Sequence, residues 1–188
     1  MTGTPRVRVL FDEPAIARRN EELARAIAGA EPRDLLVVAV LKGSFMFAAD
    51  LIRALHRAGL SPQVEFIHLS SYRAGTRSTG KVEILRDVES NVRDRDVLLV
   101  DDILESGRTV VFAKDLLMAR GAGRVLTAVL LEKPGKRAVE IQADFVGFTC
   151  PDVFVVGYGM DVAHSYRQLP FVGVVDHRDP EPDLFGGT

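Results

Sequence analysis

The stretch Val97-Leu98-Leu99-Val100-Asp101-Asp102-Ile103-Leu104-Glu105-Ser106-Gly107-Arg108-Thr109 reads as a buried strand that runs through an acidic turn into a helix. Its leading apolar residues do not alternate with polar ones, which is the pattern of a strand covered on both faces in a parallel sheet. Two adjacent carboxylates after such a run suit a solvated strand end or a helix N-terminus as well as they suit a ligand. Ser106, Gly107 and Thr109 then supply hydroxyls and a small residue at the start of a helix expected from about Thr109 to Arg120. Free N–H groups and the positive end of the helix dipole favour an anion there. Carboxylates for a sugar diol and an amide nest for its phosphate describe a ribose-5-phosphate pocket. Counting excludes two other phosphate motifs: a Walker loop needs glycine where Asp102 stands, and Gly157-Tyr158-Gly159 lacks the third glycine of a dinucleotide fingerprint, Val162 occupying its place.

Outward from this stretch the same strand-turn-helix unit recurs. Leu35 to Leu41 is an unbroken apolar run, Lys42-Gly43-Ser44 a turn, and Phe45 to Ala58 a helix with Phe47, Leu51 and Leu55 on one face, closing at Gly59. Upstream, the apolar piece Val7 to Leu10 leads to Asp12-Glu13-Pro14, an acidic cap with proline in the first turn of a helix ending near Gly29. Further strands are expected at Val64 to Leu69, Lys81 to Leu85, Val125 to Leu131, Phe145 to Phe148 and Val153 to Val156. Ser70 to Gly80 is rich in Ser, Thr, Gly and Arg and is expected to be a surface loop. Alternating strands and helices predict an α/β fold, an open and mostly parallel sheet flanked by helices, with ligands beyond the carboxyl ends of the strands.

At 188 residues and 47% hydrophobic, the chain is read as a single domain over 1–175, followed by a polar tail over 176–188. A net charge of −2 supplies no basic field for nucleic acid or membrane, so an anionic ligand must be held locally. Cys150 is the only cysteine, and no paired Cys/His spacing suggests zinc, which fits a reducing, cytoplasmic setting. The apolar runs fall well short of the ~20 residues that span a bilayer.

The apolar run, paired acids and Ser-Gly-x-Thr turn resemble the donor-binding signature of the phosphoribosyltransferases. Leu41-Lys42-Gly43-Ser44 is similar to that family's pyrophosphate loop, Ser71-Tyr72 to the start of its closing loop, and Lys133-Pro134 to its base-selecting lysine. Asp152 to Asp161, reading Asp-Val-Phe-Val-Val-Gly-Tyr-Gly-Met-Asp, resembles the purine pocket of the hypoxanthine-guanine members, and Tyr166 to Phe171 the segment after it. The resemblance implies a type I phosphoribosyltransferase core over about 35–150, with a small hood lobe from about 1–15 and 150–175. It also implies a homo-oligomer, a dimer or tetramer.

By the same resemblance, Asp101 and Asp102 bind the ribose hydroxyls, directly or through Mg2+, and Glu105, Ser106, Gly107, Arg108 and Thr109 wrap the 5-phosphate. Lys42 and Gly43 meet the pyrophosphate beside a cis peptide, Arg167 adds charge, and Asp161 stands near a second Mg2+. Phe154 stacks on the purine, Lys133 donates to its 6-oxo group, and Val155 and Asp161 edge the pocket. Taken singly, Phe154 reads first as core and Lys133 first as a solvated surface charge; their joint spacing favours the site. Arg73, Arg77 and Lys81 are either loop charges or part of a closing lid. The implied reaction is displacement of pyrophosphate from phosphoribosyl pyrophosphate by N9 of hypoxanthine or guanine, giving IMP or GMP. Glu105 stands where the compared members carry Asp, which puts its role as base in question. Transfer to xanthine or a pyrimidine, and a catalytically silent nucleotide-sensing regulator, are the alternatives.

Overall fold

The protein is described over residues 7–71 and 82–175 of a computed structural model. In chain order its elements are β1 (Val7–Phe11), α1 (Glu13–Gly29), β2 (Leu36–Leu41), α2 (Phe45–Arg57), β3 (Gln63–Ser71), β4 (Val82–Arg86), β5 (Asp96–Leu104), α3 (Arg108–Ala119), β6 (Arg124–Glu132), β7 (Phe145–Thr149), β8 (Val155–Val156) and β9 (Val172–Val175). Six strands form one sheet in the order β4-β3-β2-β5-β6-β7, parallel except for β4, which runs antiparallel to β3.

Strands without a polar face need cover on both sides, and β2 and β5 receive it. Val37, Ala39, Leu98 and Val100 point into a core with Ile16, Leu23 and Ile27 of α1 and Phe47, Leu51 and Leu55 of α2. Leu36, Val38, Val40, Val97 and Leu99 point the other way, against Val110, Ala113 and Leu117 of α3. Alternate residues thus enter different cores, which is why the sequence shows no alternation. Asp12 caps α1 through Oδ1, which accepts from the Ala15 N–H at 2.8 Å, and Pro14 sits in its first turn. At the outer edge of the sheet, Arg19 of α1 donates to the carbonyls of Val146 (2.8 Å) and Gly147 (2.7 Å) in β7, satisfying groups that no further strand pairs.

Three departures from the sequence expectations matter. Asp101 and Asp102 lie inside β5 rather than in a turn, because β6 keeps pairing past them (Asp101↔Val129, Ile103↔Leu131, Leu104↔Glu132) and the ladder outweighs the low strand preference of Asp. The strand expected over Val153 to Val156 is only Val155–Val156, since the Val153 N–H turns back to the Pro151 carbonyl at 2.8 Å. β9 was not foreseen; it lies between β1 and β8 in a small antiparallel sheet that joins the two ends of the described chain. Tyr72, Arg73, Arg77, Lys81 and the tail over 176–188 lie outside the described residues, as does most of the expected closing loop. Among the described residues no helix is long and apolar enough to cross a membrane.

Candidate active site

From β2 the chain crosses by α2 to β3 on one side, and from β5 it crosses by α3 to β6 on the other. The crevice of such a sheet opens between these two strands, at their carboxyl ends. Their pairing ends at Ala39↔Val100; beyond it the strands part around a cleft of about 580 Å³. Lys42 and Gly43 form one wall, Asp101 to Thr109 another, and Asp161 reaches in from the hood.

Close approach decides the first wall. The Leu41–Lys42 peptide is cis, and buried Ser44 donates through Oγ to the Val40 carbonyl at 2.5 Å, closing the turn. Gly43 lies so near Asp102 that a Cβ on it would overlap the Oδ2 oxygen, with Asp102 Cγ only 2.7 Å away. Gly159, with φ +99°, in turn lies on the Gly43 carbonyl, where a Cβ would also overlap. Opposite, Gly107 takes φ +83° to start α3 without a side-chain cap of its own; the Arg108 N–H meets Ser106 Oγ only at 3.4 Å, and the first turn of the helix suits an anion.

Asp101 is buried, and this burial, followed by the charge of Asp102, pushes its carboxyl well above the usual carboxylate range. Burial raises Asp102 too, against its hydrogen bond from the Ile103 N–H (2.8 Å) and the nearby Arg167 guanidinium. Two carboxylates held so close suit a hard divalent cation that shares ligand oxygens, because such a charge favours their ionised forms against the burial that raises both. Among the described residues no three His, Cys, Asp or Glu side chains gather as a metal cage, so a cation here would need ligands from the bound donor or water. Asp161 is engaged elsewhere: its Oδ1 pairs with Arg167 at 2.7 Å and its Oδ2 accepts from the His164 N–H at 2.8 Å. Arg167 also donates at 2.6 Å to the carbonyl of Gly159, the residue that rests on the Gly43 turn.

The remaining side is built by the end of β6. Lys133 is 6% exposed, its N–H donates to the Leu104 carbonyl at 3.0 Å, and its Nζ stands 3.7 Å from Glu105 Oε1. Lys136 Nζ lies 3.9 Å from the same oxygen and 2.6 Å from Asp152 Oδ1. A buried lysine beside a carboxylate is a donor and an acceptor available together to one ligand edge.

Comparison with known proteins shows the family of the chain. The sequence matches the family profile "Phosphoribosyl transferase domain" over residues 7–163. The chain belongs to the phosphoribosyltransferase family. It is 40% identical over 167 residues to the hypoxanthine-guanine phosphoribosyltransferase of Dictyostelium discoideum, covering 88% of this chain and 93% of that one. It is 43% identical over 169 residues to the bifunctional protein TilS/HprT of Listeria monocytogenes, covering 89% of this chain but only 26% of the Listeria protein. A crystal structure of a Staphylococcus aureus hypoxanthine phosphoribosyltransferase superimposes with a TM-score of 0.84 at 36% identity, covering 96% of this chain and 94% of that one.

Within this phosphoribosyltransferase, Lys42, Gly43, Asp101, Asp102, Glu105, Ser106, Gly107, Arg108, Thr109 and Asp161 border one cleft. Lys133 joins it through Glu105, and Arg167 through Asp161. Phe154 stands 54% exposed just past Asp152, whereas the Val155 side chain is buried in the core, leaving its main chain as what a base could meet. Ser71 ends β3. Sequence reading passed over Arg137, whose guanidinium joins the ends of β5 and β6, and Tyr158, whose hydroxyl donates to Asp50 Oδ2 at 2.6 Å and accepts from Asn20 Nδ2 at 2.9 Å. Arg137 lies in no pattern that local spacing would pick out, and Tyr158, though inside the Asp152 to Asp161 segment, meets partners far away in the chain.

Proposed function

We propose that this chain transfers the 5-phosphoribosyl group from phosphoribosyl pyrophosphate to N9 of a 6-oxopurine, hypoxanthine and guanine, releasing pyrophosphate in purine salvage. The observation that carries the reading is the placing of Lys133 Nζ 3.7 Å from Glu105 Oε1 beside the cleft. A 6-oxopurine presents O6 and N7 side by side on one edge. Lys133 supplies a donor to O6, and Glu105 a carboxylate that holds or takes the proton at N7 as N9 reacts. Adenine offers a 6-amino donor to the Lys133 donor and is rejected. The Dictyostelium relative, named for hypoxanthine and guanine, supports the same choice.

On the donor side, Asp101 and Asp102 hold the ribose hydroxyls, and the N–H groups and hydroxyls from Ser106 to Thr109 take the 5-phosphate. Lys42, Gly43 and Arg167 face the pyrophosphate. Mg2+ fits the Asp101–Asp102 pair, where it would neutralise charge on the leaving pyrophosphate. Asp161 orients Arg167 through their 2.7 Å ion pair. We place the enzyme in the cytoplasm as a homo-oligomer.

The test is incubation of purified protein with the donor, Mg2+ and hypoxanthine, guanine, xanthine, adenine or uracil in turn. IMP and GMP are expected, and no adenine nucleotide. Product from xanthine or uracil alone would redirect the substrate class, and no nucleotide from any base would refute transfer.

A further inference from the structure

The Arg137 guanidinium is the joint between the two parts of the proposed purine site. Its Nη1 donates to the carbonyls of Leu104 (2.8 Å), Glu105 (2.6 Å) and Lys133 (3.2 Å), and its Nη2 pairs with Glu132 Oε1 at 2.6 Å. Its Nε reaches the Ile141 carbonyl at 3.4 Å, and only 22% of the side chain is exposed. Leu104 ends β5 and Glu105 follows it, whereas Glu132 ends β6 and Lys133 follows it. Where two parallel strands stop pairing, their last carbonyls outnumber the backbone N–H groups that meet them, and a planar fork of fixed N–H groups satisfies several at once. A lysine at the same place would bring the charge without the fork.

We propose that Arg137 is a positioning residue, which sets the distance between Glu105 and Lys133 so that both meet the N7/O6 edge of one purine. This rests on reading the chain as a 6-oxopurine transferase. Arg137 touches neither carboxylate nor ammonium of that pair; it holds the main chain from which both side chains leave. Two backbone hydrogen bonds flank it, Lys133 N–H to the Leu104 carbonyl at 3.0 Å and Ala138 N–H to the Ser106 carbonyl at 2.9 Å. The loops therefore stay joined without Arg137, and what is lost is the angle at which Glu105 and Lys133 face each other. Purine capture should suffer, while the donor pocket formed by Asp101, Asp102 and Gly107 should not.

The test compares wild type, Arg137→Met and Arg137→Lys by steady-state kinetics with each substrate varied in turn, by the pH profile of kcat/KM for guanine, and by thermal melting. A displacement of about 1 Å costs about 100-fold. Arg137→Met should therefore lose about 30- to 100-fold in kcat/KM for purine, keep the donor KM within about threefold, and shift the acid limb of the pH profile. Arg137→Lys should recover less than a tenth of the wild-type value. Purine kcat/KM within threefold of wild type in either variant would overturn the proposal. So would equal losses for purine and donor with an unchanged pH profile, which mark mere loss of folded protein. If Arg137→Met does not fold, Arg137→Lys carries the same comparison. If wild type makes no nucleotide, the activity reading fails separately and the joint is judged by hydrogen exchange. Amides over 104–106 and 133–138 should then exchange faster in the variant, and unchanged exchange would refute it.

Discussion

Replacing Gly43 by Ala isolates the close approach on which the cleft depends. Gly43 is not in the left-handed region, so its backbone accepts alanine and the effect is steric. The new methyl would overlap Asp102 Oδ2 and stand 2.7 Å from Asp102 Cγ. Either the carboxylate rotates away, giving up its 2.8 Å bond from the Ile103 N–H, or the Lys42–Ser44 turn retreats. The first costs about 1 kcal/mol of stability, and the second moves the pyrophosphate-facing groups by about 1 Å, which is worth about 100-fold in rate, or about 2.7 kcal/mol in the barrier. Gly43→Ala should therefore lower kcat/KM for phosphoribosyl pyrophosphate by about 100-fold. Its Tm should fall by only about 2–4 °C, as a loss of about 1 kcal/mol does in a domain of this size. Initial rates with varied donor at saturating hypoxanthine, with a thermal melt on the same preparation, measure both. A kcat/KM within threefold of wild type would refute the view that this contact sets the donor site.

Other perturbations probe separate parts of the molecule. Glu105→Gln should cut kcat by about 100-fold or more while donor affinity persists; turnover near wild type would remove Glu105 from the base role, and Glu105→Asp would show whether the longer side chain is tuned or tolerated. Tyr158→Phe leaves Asp50 and buried Asn20 short of a partner and should cost about 1–3 kcal/mol in urea unfolding. Burial, followed by the Asp50 carboxylate, pushes the Tyr158 phenol far up. The folded protein therefore holds that proton more tightly than the unfolded chain; its stabilising effect is full below about pH 10 and is lost as pH rises further. The variant should show a flatter alkaline limb, and parallel limbs would contradict this. Hydrogen bonding to Arg120 lowers the Asp87 carboxyl, so the pair stabilises above the unfolded pKa of about 3.9 and fades as pH falls below it. With side chains 33% and 39% exposed, it should be worth under about 1 kcal/mol at pH 7. Asp87→Asn should melt lower at pH 7 and like wild type near pH ~2, and an equal gap at both would exclude the ion pair as the cause.

Much of the fold was legible because its causes are local. The unbroken apolar runs in β2 and β5 announced strands covered on both faces, and Asp12, Pro14 and Gly59 marked helix ends where the structure has them. Lys42, Gly43, Asp101, Asp102 and the Ser106–Thr109 turn were picked out because each follows or ends a strand, and the sheet gathers strand ends at one crevice. β9 escaped notice because a short apolar run becomes a strand only when β1 and β8 flank it. The acids of β5 were misplaced for the same reason: pairing to β6 holds them in the ladder, against their own preference. The sequence by itself determined which residues seek the core, which terminate helices, and which carry phosphate- and purine-binding chemistry, since these depend on side-chain type and near neighbours. Only the tertiary structure decided that Gly43 rests on Asp102, that Glu105 faces Lys133, and that Arg137 spans both strand ends. Those contacts join residues far apart in the chain, and their distances follow from the register of a sheet in which every strand is positioned by all the others.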